Sequence, residues 1–430
     1  MILLLGSALR ALTRRRFAAI AFGALALAAC QSAAFAPDPS ALGARSDGLL
    51  NPATTGSGRT YIWVPYSTTY GLNTLLTGIS NNGHQNGLMY LTGISYPDSS
   101  SSCCSFVATM KNASTTNQTP GPPAPEPPGH SPPDVYLNAP SSNPFKGNIY
   151  SVGYLPAGTK SSAQCPRSSA VTCGFIYNPA NPPSSIASYL QDPKEGSTKT
   201  CGGTYLSGTM GADIQVGYYM SLSTTNKCVA HAVEEYRVSN STGLSGPQWI
   251  DFQLPSSLLT QINSHGTITN SWAYGINDNG DVVGAFTTSD MGTSKNPFYI
   301  GWKFKAFNYS PIQYGAPGTG ALSTVAQDIG FDQTVVGWYT DGGKIHGFQV
   351  FKGQHTEDYK SKDNVETMVY GYNDEAYMVG AYRIDSASGP GPWNGFVAQC
   401  SNCNGSSGDY SIKAPLRSQR RTTTPFQPWR

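Results

Sequence analysis

Charge is what this chain has least of. Only 12% of its 430 residues are Asp, Glu, Lys or Arg, and the formal balance is +2. So weak a field offers nucleic acid no electrostatic footprint. Long apolar runs are almost as scarce, and beyond residue 30 none is long enough to cross a bilayer as a helix. The sequence has no H-E-x-x-H, no G-x-S-x-G and no P-loop, so no zinc, serine-nucleophile or nucleotide-cofactor motif is present. His84, His130, His231, His265, His346 and His355 are scattered, without the i, i+4 spacing that sets two ligands on one helix face. No catalytic residue, metal site or cofactor is assigned from these features.

What is present begins at the N-terminus. Arg10, Arg14, Arg15 and Arg16 precede an uncharged, mostly apolar stretch from Phe17 to Ala29. That length suits the apolar core of a signal peptide and is short for a membrane span. It ends in Leu27-Ala28-Ala29-Cys30, which resembles the lipobox of bacterial lipoproteins. The resemblance implies that residues 1–29 are removed and that the Cys30 thiol carries acyl (palmitate) chains. Several chains on one cysteine anchor stably, where one would bind only marginally. Gln31 is not the Asp that such proteins use for inner-membrane retention, which points to the outer membrane, its face left open. Loss of the leader takes four of the 27 basic residues and leaves the 25 acidic ones in slight excess.

Composition divides the remainder of the chain. Residues 30–59 are rich in Ala, Pro, Gly and Ser and read as a flexible tether. Residues 60–413 read as a repeat domain, interrupted at 119–133 by a proline-dense, extended loop. Residues 414–430 form a basic tail with Arg417, Arg420, Arg421 and Arg430 and no acid. Nine cysteines less the anchor leave an even number, which in an exported chain favours disulfides. Cys165 with Cys173 and Cys201 with Cys228 are each close enough in sequence to staple one loop. Cys103, Cys104, Cys400 and Cys403 pair locally or join the two ends of the domain. A redox or metal role for Cys400-x-x-Cys403 lacks the second C-x-x-C or the βαβ pattern it would need.

The repeat is the main architectural signal. AYGINDNGDVVGAF (273–286), AQDIGFDQTVVGWY (326–339) and VYGYNDEAYMVGAY (369–382) align without a gap on Gly284, Gly337 and Gly380, which are 53 and 43 residues apart. Each segment reads as two short strands about a turn; Asn279-Gly280 is a strong hairpin signal. The glycine within the second strand admits a neighbouring backbone or a bulge. Third strands are expected over Phe298–Phe304, His346–Phe351 and Gly395–Gln399. Fourth strands are expected over Phe307–Ile312, Thr356–Tyr359 and Tyr410–Lys413. Weaker copies lie around Gly217, Gly153 and Gly78. The sum is an all-β chain, a β-propeller of about six four-stranded blades, with five or seven blades or an open solenoid as alternatives.

The order G-I-N-D-x-G-x-V-V-G, then His-Gly-Phe, resembles the bacterial extracellular HAF repeats, most clearly from Gly275 to Gly284 and from Lys344 to Phe348. That likeness implies a surface, propeller-like protein and carries over no catalytic residue. His231 and His346 keep the histidine of the tripeptide; Asn86, Cys173, Asn296 and Asn394 are expected to stand in its place elsewhere. Their equivalence favours a structural role over metal binding. Asn277 to Asp281 is oxygen-rich but lacks the distal Glu of a calcium loop, so a plain turn is expected. Glu234 and Glu235, adjacent on a strand, point to opposite faces and cannot share one glycosidic bond. Trp63, Trp249, Trp272, Trp302, Trp338 and Trp393 read mostly as inter-blade core, leaving loop aromatics at one mouth as binding candidates. The expected partners are the membrane, through the anchor, and an envelope protein or a glycan. A polysaccharide- or peptide-acting enzyme and a purely structural envelope protein are the alternatives.

Overall fold

The computed structural model describes most of residues 61–400; residues 1–60 and 401–430, and connecting segments such as 81–87, 112–135, 156–164 and 178–185, fall outside the described residues. The described chain is all-β apart from one short helix, Ser257–Gln261. Its strands form several small antiparallel sheets in sequence order. The first holds Asn73–Ile79, Leu88–Tyr96 and Cys104–Lys111. The second holds Tyr136–Asn143, Asn148–Leu155, Cys173–Tyr177 and Ile186–Leu190. The third holds Thr204–Thr209, Ile214–Leu222, Cys228–Tyr236 and Gln248–Asp251. The fourth holds Ile268–Ile276, Val282–Thr288, Ile300–Lys305 and Asn308–Ile312. The fifth is built on Gly320–Ile329, Val335–Asp341, Lys344–Phe351 and Gln354–Asp358. The sixth combines Val365–Tyr372, Tyr377–Ser386 and Asn394–Cys400 with Tyr61–Tyr66.

One local device recurs in all six. The first strand carries a bulge, opposite which the second strand places a glycine: Gly93, Gly153, Gly217, Gly284, Gly337 and Gly380 face Leu76, Leu137, Leu206, Ala273, Ala326 and Val369. On its other side the same glycine faces a bulky third-strand residue: Phe106, Phe175, Val233, Trp302, Phe348 or Phe396. These six are at most 2% exposed. At Gly93, Gly284, Gly337 and Gly380 a first-strand carbonyl lies over the glycine and the third-strand aromatic ring fills the remaining space. A Cβ at Gly337 would run into the Val325 carbonyl oxygen and lie 2.9 Å from the Phe348 ring. The first-sheet counterpart of Gly153 is thus Gly93, not Gly78 as the sequence suggests. Gly78 follows the bulge instead, at the position shared with Gly208, Gly275 and Gly371.

Each sheet packs on the next, and the sixth packs on the first. A Ser or Thr near the start of each first strand from the third sheet on, buried in all but the fifth, binds a backbone N–H of the preceding sheet or its edge. Asp192 N–H donates to Thr204 Oγ1, Ala232 N–H to Ser271 Oγ, Tyr299 N–H to Ser323 Oγ and Gly347 N–H to Thr367 Oγ1. At the opposite end, where first and second strands turn, Asn277 Nδ2 donates to the Gly330 carbonyl of the next sheet (2.9 Å). Asn373 Nδ2 likewise reaches from the sixth sheet to the Ser80 carbonyl of the first (3.0 Å). The result is a propeller-like arrangement whose polar staples satisfy backbone groups that burial would otherwise leave unpaired.

The expected third strands fall on Ile300–Lys305, Lys344–Phe351 and Asn394–Cys400, and two of the fourth on Asn308–Ile312 and Gln354–Asp358. The last differs. The position beside Asn394–Cys400 belongs to Tyr61–Tyr66, the first strand of the chain, while Tyr410–Lys413 lies outside the described residues. No local pattern reveals a pairing between positions more than 300 residues apart.

Among the described residues two disulfides are formed, Cys165–Cys173 and Cys201–Cys228. They close separations of 8 and 27 residues, so loop-closure entropy assigns them about 2.5 and about 3.5 kcal/mol. Replacing Cys201 and Cys228 by Ser is expected to lower stability more than the same change at Cys165 and Cys173, measured by urea unfolding of the full chain. Equal midpoints for the two double variants would contradict this ordering. Cys104 and Cys400 lie on strands, but their side chains, with Cys30, Cys103 and Cys403, lie outside the described residues.

Candidate functional site

The repeat positions explain themselves once the sheets are assembled. The tripeptide histidines each meet a tyrosine across the strand pair: His231 stacks on Tyr219 at 4.8 Å, and His346 lies tilted against Tyr339 at 5.3 Å. His231 Nε2 also lies 3.0 Å from Ser221 Oγ. The register puts Cys104, Cys173, Ile300 and Asn394 at the same place. Asn86 and Asn296, expected there from sequence, lie outside the described residues. Asn277 Oδ1 accepts the N–H groups of Asn279 and Asp281 within a tight turn whose Gly280 has φ +76°. Among the described residues no group of three or more His, Cys, Asp or Glu is arranged to hold a metal ion. Glu235 is fully buried and Glu234 only partly so, as opposite faces require. Trp272, Trp302, Trp338 and Trp393 are buried; Trp302 Nε1 donates to the Trp272 and Ala285 carbonyls.

The group that sequence reading missed lies where first and second strands of several sheets converge. Tyr205 and Tyr218, paired across the third sheet, stack at 4.7 Å with rings 6° apart, and Tyr154 of the second sheet meets Tyr205 edge-on at 5.0 Å. Tyr218 is electrostatically coupled to Tyr274 and Tyr299 of the fourth sheet, and Tyr274 to Tyr370 of the sixth. Trp272, Tyr299 and Trp338 continue the aromatic lining. Tyr154, Tyr205, Tyr218, Tyr274 and Tyr370 all keep part of their surface open. A weak signal existed: the residue after each second-strand glycine (Ile94, Tyr154, Tyr218, Ala285, Trp338, Ala381) points to this place, and in three sheets it is a large aromatic.

Burial raises the titration of Tyr218, Tyr274, Tyr299 and Tyr370, and for Tyr218, Tyr274 and Tyr299 neighbouring phenols add to it. These hydroxyls therefore stay protonated at neutral pH. They can donate and accept hydrogen bonds beside apolar ring faces, and they supply neither a general base nor a nucleophile.

At the same end of the third sheet lies a charged rim. Lys194 Nζ pairs with Asp251 Oδ2 at 2.8 Å, and the Tyr219 hydroxyl lies 3.4 Å from the same oxygen. Thr204 Oγ1 donates to Glu195 Oε2, while Asp192 Oδ1 accepts the Lys194 N–H. Glu195 in turn acts on Tyr205, joining rim and tyrosine cluster. Burial lowers the His231 pKa and keeps that ring neutral.

No family model and no curated protein matches the chain. Solved structures are similar at low identity. A protein of unknown function from Dyadobacter fermentans aligns at 13% identity and a TM-score of 0.45, over 79% of this chain and 99% of that one. An α-L-arabinanase of Penicillium chrysogenum aligns at 12% identity and a TM-score of 0.38, over 79% and 97%. An α-L-arabinofuranosidase of Fusarium graminearum aligns at 11% and 0.38, over 80% and 98%.

Proposed function

We propose that this chain is an exported, lipid-anchored six-bladed β-propeller that binds a glycan at its tyrosine-lined centre without transforming it. Six successive sheets, the sixth completed by Tyr61–Tyr66 and packed on the first, support the closed ring. The lipobox-like Leu27-Ala28-Ala29-Cys30 supports the anchor, and the two disulfides are in keeping with export. The likeness to HAF repeats fits the same setting. The observation that carries the binding reading is the convergence of Tyr154, Tyr205, Tyr218, Tyr274 and Tyr370. Sugar C–H faces stack on phenol rings, and sugar hydroxyls exchange hydrogen bonds with neutral phenols. A protein partner would want a broad exposed patch instead, and the exposed large hydrophobics among the described residues are Leu222, Phe307 and Phe331 alone.

The topology bears on how an anchored chain would stand. Tyr61 pairs with Cys400 at the end of the sixth sheet that carries the Asn373–Tyr377 turn, whereas Tyr205 and the charged rim lie near the opposite end, where first strands begin. A tether arriving at Tyr61 would thus leave the charged rim facing away from the membrane. The test is calorimetric titration of the mature chain with neutral pentose and hexose oligosaccharides. Tyr218→Ala is expected to weaken binding roughly 10- to 100-fold and Tyr218→Phe about fivefold. Binding that persists in Tyr218→Ala, or no binding across the panel, overturns the reading.

A hydrolytic reading has one observation in its favour, the grouping of Asp192, Glu195 and Asp251 about Lys194 beside the cluster. It requires product release from a bound oligosaccharide, abolished in Asp251→Asn.

A further inference from the structure

Glu235 lies in the middle of the third sheet with no exposed surface, paired across the strands with Gln215, which is equally buried. Gln215 Nε2 donates to the Gly211 carbonyl (2.8 Å), which fixes the amide's orientation and turns its oxygen away from that turn. Glu235 Oε1 accepts from Arg237 Nε at 3.0 Å, and Arg237 Nη2 reaches Ser188 of the second sheet. Two acceptors are left over. Gln215 Oε1 and Glu235 Oε2 are both buried and neither has a hydrogen-bond donor. Two unsatisfied oxygens on directly opposed residues destabilise the fold, and one proton between them satisfies both.

We infer that Glu235 is a proton-holding residue of the native fold, its Oε2–H donating to Gln215 Oε1, so that loss of the proton to solvent loosens the turn between Thr204–Thr209 and Ile214–Leu222. The charged groups about it are Arg237, which opposes protonation, and Asp213 and Glu234, which favour it. Burial outweighs them all and carries the carboxyl up from its ordinary value near 4.5 to about 7. The folded chain therefore holds the proton more tightly than the unfolded one. The stabilisation is complete below about pH 4.5 and is lost as pH rises through about 7.

The test is carbon-13 NMR of the full mature chain labelled at glutamate side-chain carboxyls, which excludes the aspartates from view. One resonance titrating near pH 7, missing in Glu235→Gln, is the expected result. Glu235→Gln should also remove part of the fall in unfolding temperature between pH 4.5 and 7.5, because its amide donates to Gln215 Oε1 at every pH. If every glutamate titrates at the ordinary value in folded wild type, the inference fails, and that spectrum decides even where the variant does not fold. Parallel melting profiles for wild type and a folded Glu235→Gln would overturn it equally.

Discussion

Gly337→Ala is expected to cost about 4 kcal/mol, against the roughly 5–15 kcal/mol that holds a domain together. The reason is steric. The fifth-sheet bulge brings the Val325 carbonyl oxygen over the Gly337 Cα, and a Cβ has no room there. The first strand cannot retreat, since Val325 and Ala326 are buried in the core. The ring of Phe348 closes the other side and is itself fully buried. Relief therefore means straightening the bulge, which would shift the strand register and turn core side chains outward. Gly342→Ala makes the control. It sits at φ +55° in an exposed turn with nothing within 4 Å of the new methyl group. Its cost is conformational only, about 1 kcal/mol. Urea unfolding of the two variants should separate them by several kcal/mol; similar losses would show that the glycines are retained for backbone freedom and not for space.

The same residue shows what was legible beforehand. Three copies of V-V-G or M-V-G in register announced hairpins with a special glycine, and the strands fall where the alternation of apolar residues puts them. The aromatic of His-Gly-Phe covers that glycine, so motif and repeat are two parts of one packing unit. Less was legible where packing is long-range. Gly93 hid in LTGISY because the loop before it has another length and its neighbours are less apolar. The tyrosine cluster takes members from four sheets, and nothing in the immediate sequence of Tyr154 or Tyr370 tells that they approach one centre. Glu235 was weighed only with Glu234 as a carboxylate pair; its partner in chemistry, Gln215, is set by register.

The largest effect should come from the strand least visible in sequence. A chain lacking residues 61–66 is expected to lose cooperative unfolding and to self-associate. In the intact sixth sheet, Asn394–Cys400 is paired on one side with Tyr377–Ser386 and on the other with Tyr61–Tyr66, over six consecutive residue pairs. Removing the latter leaves Asn394–Cys400 as an unpaired edge, although Phe396, Val397 and Ala398 are at most 3% exposed in the native fold. An apolar edge with free N–H and C=O groups is a template for another chain. Bonds between the sixth and first sheets such as Asn373 Nδ2 to the Ser80 carbonyl and Thr74 N–H to the Trp393 carbonyl would remain. They join inner strands and do not cover the outer edge. A chain lacking residues 30–59 instead keeps Tyr61–Tyr66 and should unfold as the intact domain does. Light scattering during thermal unfolding distinguishes the cases. A monomeric, cooperatively melting chain without residues 61–66 would mean that the sheets hold their order through inner-strand contacts alone, and that the first strand is an ornament of the sixth sheet instead of its closure.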